Sequence, residues 1–262
     1  MLIDSHCHIN HRQLRGDLPE VMARALAAQV TQLVAPATDL ASCRDLLDLA
    51  QVHPQIHPAM GIHPCDTDSV SGEAWIDDLR ALAKTPGVAA IGEIGLDYFH
   101  APPEGFDLAS WKQHQAQVLR LQLDLAVELA LNVILHARES HDDLVAAIRP
   151  YQGRLRGVFH CFTGTPEQAL ELIAMGHLVS FTGIVTFKNS PVIQATAMAV
   201  PEGSFMVETD SPYLAPVPHR GKRSEPAFVA DTARFIAQLR RVSVEEIGAC
   251  TSGTARGFFR GL

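Results

Sequence analysis

Gly157-Val158-Phe159-His160-Cys161-Phe162-Thr163-Gly164-Thr165-Pro166-Glu167-Gln168 opens a unit that closes at Gly176 and is followed by the run Leu178–Phe181. Gly157, Val158 and Phe159 are apolar and lead into a histidine and a cysteine, as in a short strand covered on both faces. Thr165 then supplies an N-cap oxygen, Pro166 fits the first helical position, and Gln168 completes a capping box. Gly176 ends the helix, because it takes a left-handed C-terminal conformation without steric cost. A second apolar strand follows at once, so the stretch reads as strand, helix, strand.

The same alternation extends outward to both ends of the chain. The strand candidates are Leu2–His6, Gln32–Pro36, His57–Gly61, Ala89–Glu93, Val133–His136, Gly157–Cys161, Leu178–Phe181 and Phe205–Asp210. The longest helix is expected from Ala109 to Ala130, with Leu119, Leu123, Ala126 and Ala130 on one apolar face. Near-continuous apolar strands suit a parallel sheet covered on both faces, as in a barrel or a doubly wound fold. Eight such units in 262 residues, with no composition break that would mark a linker, match one (β/α)8 TIM barrel of about 250 residues. The expectation is therefore an α/β chain with a single domain over residues 1–262. The segments Ala101–Phe106 and Ala215–Pro226 read as longer loops that follow strand ends, where barrel enzymes place function.

Composition narrows the class. A hydrophobic share of 47% with 19% charged residues belongs to an ordinary globular protein. No signal-peptide pattern and no apolar run of spanning length is present, so neither export nor a membrane is expected. Five scattered cysteines without CxxC spacing read as reduced thiols of a cytoplasmic protein. A net charge of −8 argues against a broad basic surface wrapped around nucleic acid, though it leaves room for a local basic patch.

Histidine stands out, at thirteen residues, several of them in apolar runs. In His6-Cys7-His8 a period of two puts both imidazoles on one face of the first strand. Glu93, His136, His160 and Asp210 close the fourth, fifth, sixth and eighth strand candidates. Each alone has an ordinary reading as a hydrogen-bonded strand end. Together they bring four imidazoles and two carboxylates to one mouth, which is costly without a cation to organise it. Two divalent ions fit this set better than one, because it exceeds the tetrahedral capacity of a single Zn²⁺. Zn²⁺, Mg²⁺ and Mn²⁺ all remain open as the metal.

The motifs Asp4-Ser5-His6-Cys7-His8, Gly61-Ile62-His63-Pro64, Gly92-Glu93-Ile94-Gly95-Leu96-Asp97-Tyr98, His160-Cys161-Phe162-Thr163-Gly164 and Glu208-Thr209-Asp210-Ser211-Pro212-Tyr213-Leu214 resemble, in order and from end to end, the TatD family of metal-dependent deoxyribonucleases. That family is a branch of the amidohydrolase superfamily. The resemblance implies one ion on His6, His8, Glu93 and Asp210 and a second on Glu93, His136 and His160, with Glu93 as the bridge. It implies hydrolysis of a phosphodiester by a metal-activated water, with DNA as the substrate and Asp210 as general base and proton shuttle beside its role as ligand. Two positions depart from the family pattern: Ser224 stands where Asn is usual, and Ser140 where Ala is more common.

The supporting residues follow from position. Arg138 lies two residues beyond His136, and Arg220, Lys222 and Arg223 come from the loop after the eighth strand; together they form the available anion clamp. Asp4 and Glu208, each two residues before a ligand, are placed to orient imidazoles from behind. His63 and Asp97, on loops after strands three and four, are placed to touch substrate. The other histidines, His100 among them, read as surface or core. A monomer is expected. Two further readings stand beside the nuclease: hydrolysis of a small ester, lactone or amide with the same two-metal site, and a non-catalytic metal-binding scaffold, which retention of all six ligands opposes.

Overall fold

The computed structural model describes residues 1–262. Its strands are β1 (Leu2–Asp4), β2 (Val30–Pro36), β3 (Ile56–Met60), β4 (Ala90–Asp97), β5 (Val133–Arg138), β6 (Gly157–Phe159), β7 (Leu178–Phe181) and β8 (Phe205–Val207). The helices are α1 (Arg12–Arg15), α2 (Leu18–Ala27), α3 (Leu40–Val52), α4 (Trp75–Ala83), α5 (Leu108–Leu129), α6 (His141–Ile148), α7 (Pro166–Ala174), α8 (Pro191–Ala199), α9 (Val229–Arg240) and α10 (Val244–Phe258). The strands form one parallel sheet in sequence order from β1 to β8, with helices in every connection: a TIM barrel. No helix is long and apolar enough to cross a membrane.

The ring closes beyond the regular ladders. Ser5 N–H donates to Val207 O at 3.2 Å, Asp210 N–H to His6 O at 2.9 Å and His8 N–H to Ser211 O at 2.8 Å. The buried Asp4 carboxylate adds a side-chain staple, accepting from Thr209 N at 2.9 Å and Thr209 Oγ1 at 2.6 Å. Asp4 thus joins the two end strands, and no imidazole nitrogen donates to it.

One side chain from each strand packs into an inner cluster: Ile3, Val34, Ala59, Ala90, Ile134, Val158, Leu178 and Met206, floored by Phe258 and Phe259 at the end of α10. Their neighbours Leu33, Val133, Phe159 and Phe205 pack outward with the helices. This division fills the amino end of the barrel with hydrocarbon and leaves the carboxyl end for polar side chains.

Local signals account for the elements. Thr165 caps α7 and Gln168 completes the box, with Gly176 at φ +94° behind the helix. Asp107 caps α5 one residue earlier than the apolar pattern indicates, and Ala130 is an exposed left-handed cap rather than part of its buried face. Strand ends differ more. β1, β6 and β8 stop before His6, His160 and Asp210, while β4 runs four residues past Glu93. Pairing with β5 is irregular between Ile91 and Ile94, and this shift turns Glu93 inward from the middle of the strand.

Candidate metal centre

His136 and His160 reach the mouth by ordinary alternation, two residues beyond the inner residues Ile134 and Val158. Asp210 sits at φ +55° just past β8, and Cys161 at φ +46° turns the chain immediately after His160. Such backbone is held only where the surroundings fix it, and here it aims side chains at a shared point.

Glu93, 1% exposed, lies at the centre. Around its Oε2 stand His6 Nε2 at 3.2 Å and His8 Nε2 at 3.6 Å. These two nitrogens are 3.4 Å apart, and Asp210 Oδ1 is 3.7 Å from the first and 3.4 Å from the second. Around Glu93 Oε1 stand His160 Nε2 at 2.7 Å, His136 Nδ1 at 2.8 Å and His63 Nε2 at 3.4 Å. His136 Nδ1 is 3.2 Å from His160 Nε2 and 3.3 Å from His63 Nε2. Donor atoms on a tetrahedral ion with bonds of 2.0–2.1 Å sit about 3.3 Å apart, so the Oε2 group and the ring nitrogens of the Oε1 group have the spacing of a coordination sphere, with His136 and His160 drawn closer to Oε1 itself.

The donor set fits divalent cations on a second count. Glu93 Oε2 is buried and receives no hydrogen bond, and His6 Nδ1 and His160 Nδ1 are buried without a partner as well. A carboxylate oxygen surrounded by ring nitrogens and lacking a proton donor is the arrangement a cation completes.

Charge acts strongly here. Burial alone would push the Glu93 carboxyl up, but His160, His63 and His6, with the hydrogen bond from His136, hold it well below the usual carboxylate range. Burial likewise works against ionisation of Asp210, and His8 and His6 overcome it. His160 is raised well above the ordinary imidazole value despite its burial, through Glu93 and Glu208. His6 and His63 move the other way because burial dominates.

The residues placed around these groups by sequence fall into three sets. Asp97 is the last residue of β4 and fully buried, and it faces His136 rather than the cavity. Its Oδ2 accepts from His136 Nε2 at 3.0 Å, and its Oδ1 takes the backbone N–H groups of Phe99 and His100. Glu208 supports His160 from behind: Oε1 accepts from Cys161 N at 2.6 Å and lies 3.6 Å from His160 Nδ1, while Oε2 takes Ser5 Oγ at 3.3 Å. His63 joins the donor atoms themselves, which its loop position after β3 did not indicate.

The cations divide as well. Arg138 lines the mouth, its guanidinium 4.0 Å from the centre of the Phe99 ring. Arg220 stacks on Phe187 at 3.5 Å, and Lys222 is exposed. Arg223 is tied to Asp17 by contacts of 2.6 and 2.8 Å, away from the donor cluster. Ser140 joins β4 to the end of β5, its hydroxyl donating to Leu96 O at 2.6 Å and accepting from Arg138 N. Ser224 is buried with its hydroxyl unpaired, and nothing around it explains the choice of Ser.

The centre opens into a cavity of about 960 Å³, walled among others by His11, Thr38, Asp66, Thr163 and Tyr213. A parallel barrel with clustered imidazoles and carboxylates at its carboxyl mouth is the architecture of a metal-dependent hydrolase. The family model for TatD-related DNases matches residues 3–260, and the chain belongs to that family. It is 38% identical over 255 residues to the metal-dependent hydrolase YcfH of Escherichia coli K12, covering 96% of this chain and 92% of the relative. It is 32% identical over 269 residues to a protein of Edwardsiella piscicida named 3'-5' ssDNA/RNA exonuclease TatD, covering 99% of each. Among solved structures, the TatD homologue YjjV of Escherichia coli K12 superposes with a TM-score of 0.91 at 28% identity, over 100% of this chain and 98% of that one.

Proposed function

We propose that this chain, as one domain over residues 1–262, hydrolyses phosphodiester bonds at the end of a single-stranded nucleic acid. In this reading one divalent ion is held by His6, His8, Glu93 and Asp210. A second is held by Glu93, His136 and His160, with His63 closing the set. The observation that carries the reading is the split of Glu93: each oxygen faces its own group of ring nitrogens, and the oxygen facing His6 and His8 has no hydrogen-bond donor. Bound there, divalent ions supply positive charge that acidifies water and neutralises negative charge growing on phosphoryl oxygens.

The chain's own groups do the rest. Asp210, kept ionised by His8 and His6, takes the proton of the attacking water as its oxygen bonds to phosphorus. It returns that proton to the leaving oxygen as the old P–O bond breaks. Asp97 fixes the His136 ring, and Glu208 fixes the backbone that carries His160. Arg138 stands at the mouth to meet a phosphate. The exonuclease name of the Edwardsiella relative supports this substrate class.

A second reading has one observation in its favour: Arg138 is the only Lys or Arg among the residues lining the cavity. That suits a small ester, lactone or amide as well as it suits a polyanion. The deciding experiment resupplies metal-stripped protein with Mg²⁺, Mn²⁺ or Zn²⁺ and offers single-stranded DNA and a simple phosphodiester, with Glu93→Ala as control. Cleavage that requires metal and vanishes in Glu93→Ala is expected. Binding of two ions with neither substrate cut would move the assignment to the carbonyl substrates.

A further inference from the structure

Beside the main cluster lies a second meeting of ligand-type side chains that the mechanism does not use. Cys65 is in the turn after β3, Asp97 ends β4, and His100 follows it by three residues. Cys65 Sγ is 3.5 Å from His100 Nδ1, and that nitrogen is 2.9 Å from Asp97 Oδ2. All three atoms lie within 4.8 Å of one another. On a tetrahedral zinc ion, sulfur and nitrogen ligands sit about 3.6 Å apart, and nitrogen and oxygen about 3.3 Å. The side chains come from the turn after β3, the end of β4 and the loop behind it, and the sulfur and nitrogen meet at coordination spacing while the nitrogen and oxygen are somewhat closer.

We propose that Cys65, Asp97 and His100 form an additional divalent-metal site on the wall of the same cavity, selective for a thiophilic ion such as Zn²⁺ or Co²⁺. The sulfur sets the selectivity, since Mg²⁺ and Ca²⁺ take oxygen ligands while thiolate and imidazole suit Zn²⁺ and Co²⁺. On binding, the Cys65 thiol releases its proton to solvent and the sulfur lone pair bonds the ion. Cys65 and His100 both line the cavity, and His100 is exposed, so an ion enters without any opening of the fold. Three protein ligands leave the fourth position to water.

The site is joined to the main cluster through one carboxylate oxygen, since Asp97 Oδ2 also accepts from His136 Nε2. An ion on that oxygen draws charge away from the acceptor that orients His136. Occupation by excess Zn²⁺ is therefore expected to slow hydrolysis supported by Mg²⁺, and Cys65→Ser to relieve the slowing.

Cobalt reports the site directly, because a thiolate bound to Co²⁺ gives a near-ultraviolet charge-transfer band that imidazole and carboxylate ligands do not give. The full-length protein titrated with Co²⁺ is expected to develop this band and to bind one more ion per chain than Cys65→Ser does. The band is expected to be absent from Cys65→Ser, weakened in His100→Gln and retained in Glu93→Ala. Retention in Glu93→Ala separates this proposal from the phosphodiester reading, which that variant tests by activity. No band at saturating Co²⁺, or a band that survives Cys65→Ser, overturns the site. Loss of the band in a Glu93→Ala protein with native circular dichroism assigns the sulfur to the main cluster and overturns a separate site equally.

Discussion

At the scale of single residues, the barrel mouth is governed by which nitrogen of each imidazole faces which carboxylate. His136 presents Nδ1 to Glu93 at 2.8 Å and Nε2 to Asp97 at 3.0 Å. Asp97 accepts at Nε2, which keeps a proton there, so that loss of the proton Nδ1 shares with Glu93 gives that nitrogen a lone pair for an ion. In Asp97→Asn the amide oxygen is drawn to the backbone N–H groups of Phe99 and His100, which Oδ1 now serves. The amide NH₂ then faces His136 and favours the opposite tautomer. Activity and affinity for the second ion are expected to fall by roughly 10- to 100-fold while stability stays near that of the parent, since the side chain keeps its shape. Metal titration alongside kcat/KM checks this, and unchanged values for both would remove the positioning role of Asp97. This role was not legible in the sequence. A buried carboxylate four residues after Glu93 looks like a substrate contact when the strand is taken to end at Glu93.

At the scale of elements, strand parity decides what faces inward. His136 and His160 were readable because alternation holds from Ile134 and Val158 up to them, whereas Asp210 stands past β8 on left-handed backbone and was placed by residue type. Parity set His6 and His8 on one face together, but Glu93 was placed by residue type alone. Ala90 also packs inward, at odd separation from Glu93, and the pairing of β4 with β5 contains a register shift between Ile91 and Ile94. A shift of one residue depends on neighbouring strands, so a single strand's sequence cannot display it. Beyond the shift, Gly95 at φ +153° lets β4 approach β5, and a Cβ there would lie 2.0 Å from His136 O and 2.8 Å from His136 N. Gly95→Ala is expected to cost about 3 kcal/mol or more and to lose activity with stability, because the residue displaced is His136 itself. Denaturant unfolding gives the answer, and a midpoint equal to the parent's would show that the two strands separate freely.

The opposite end of the barrel carries a pH-sensitive joint. His177, 2% exposed, accepts from Gly157 N at 3.0 Å, fastening the start of β6 to the turn before β7. Burial, with Arg156 adding to it, lowers its pKa to about 4. The unfolded chain therefore takes up the proton first as pH falls. This histidine's contribution is whole above about pH 6.5 and is lost between there and pH 4, with a slope of at most about 1.4 kcal/mol per pH unit. His177→Gln keeps an acceptor for Gly157 and is expected to flatten stability against pH across that window, measured by thermal unfolding in matched buffers. A slope the same as the parent's would assign the acid sensitivity to other groups.

For the whole molecule, eight strand-and-helix units were legible because each carries its own caps and apolar run, whereas the approach of a nucleic acid depends on charges spread over loops. The net charge of −8 repels a polyanion, and the basic residues near the mouth are few. Arg223 is bound to Asp17 at 2.6 and 2.8 Å and is not free to bind phosphate. Arg138, Arg220 and Lys222 remain. A single strand that contacts Z phosphates gives a slope of about −0.7Z in log K against log salt, so two or three cations yield a slope between about −1.4 and −2.1. Such shallow dependence belongs to an enzyme that holds the last few nucleotides of a strand, not one that wraps its length. Removing one contact, in Arg138→Ala, is expected to bring the slope nearer zero by about 0.7, whereas Arg223→Ala leaves it unchanged. Binding of a fluorescent oligonucleotide to catalytically silenced Glu93→Ala across a salt series measures both. A parent slope steeper than about −4 would require a phosphate track beyond these three cations and defeat the end-binding geometry.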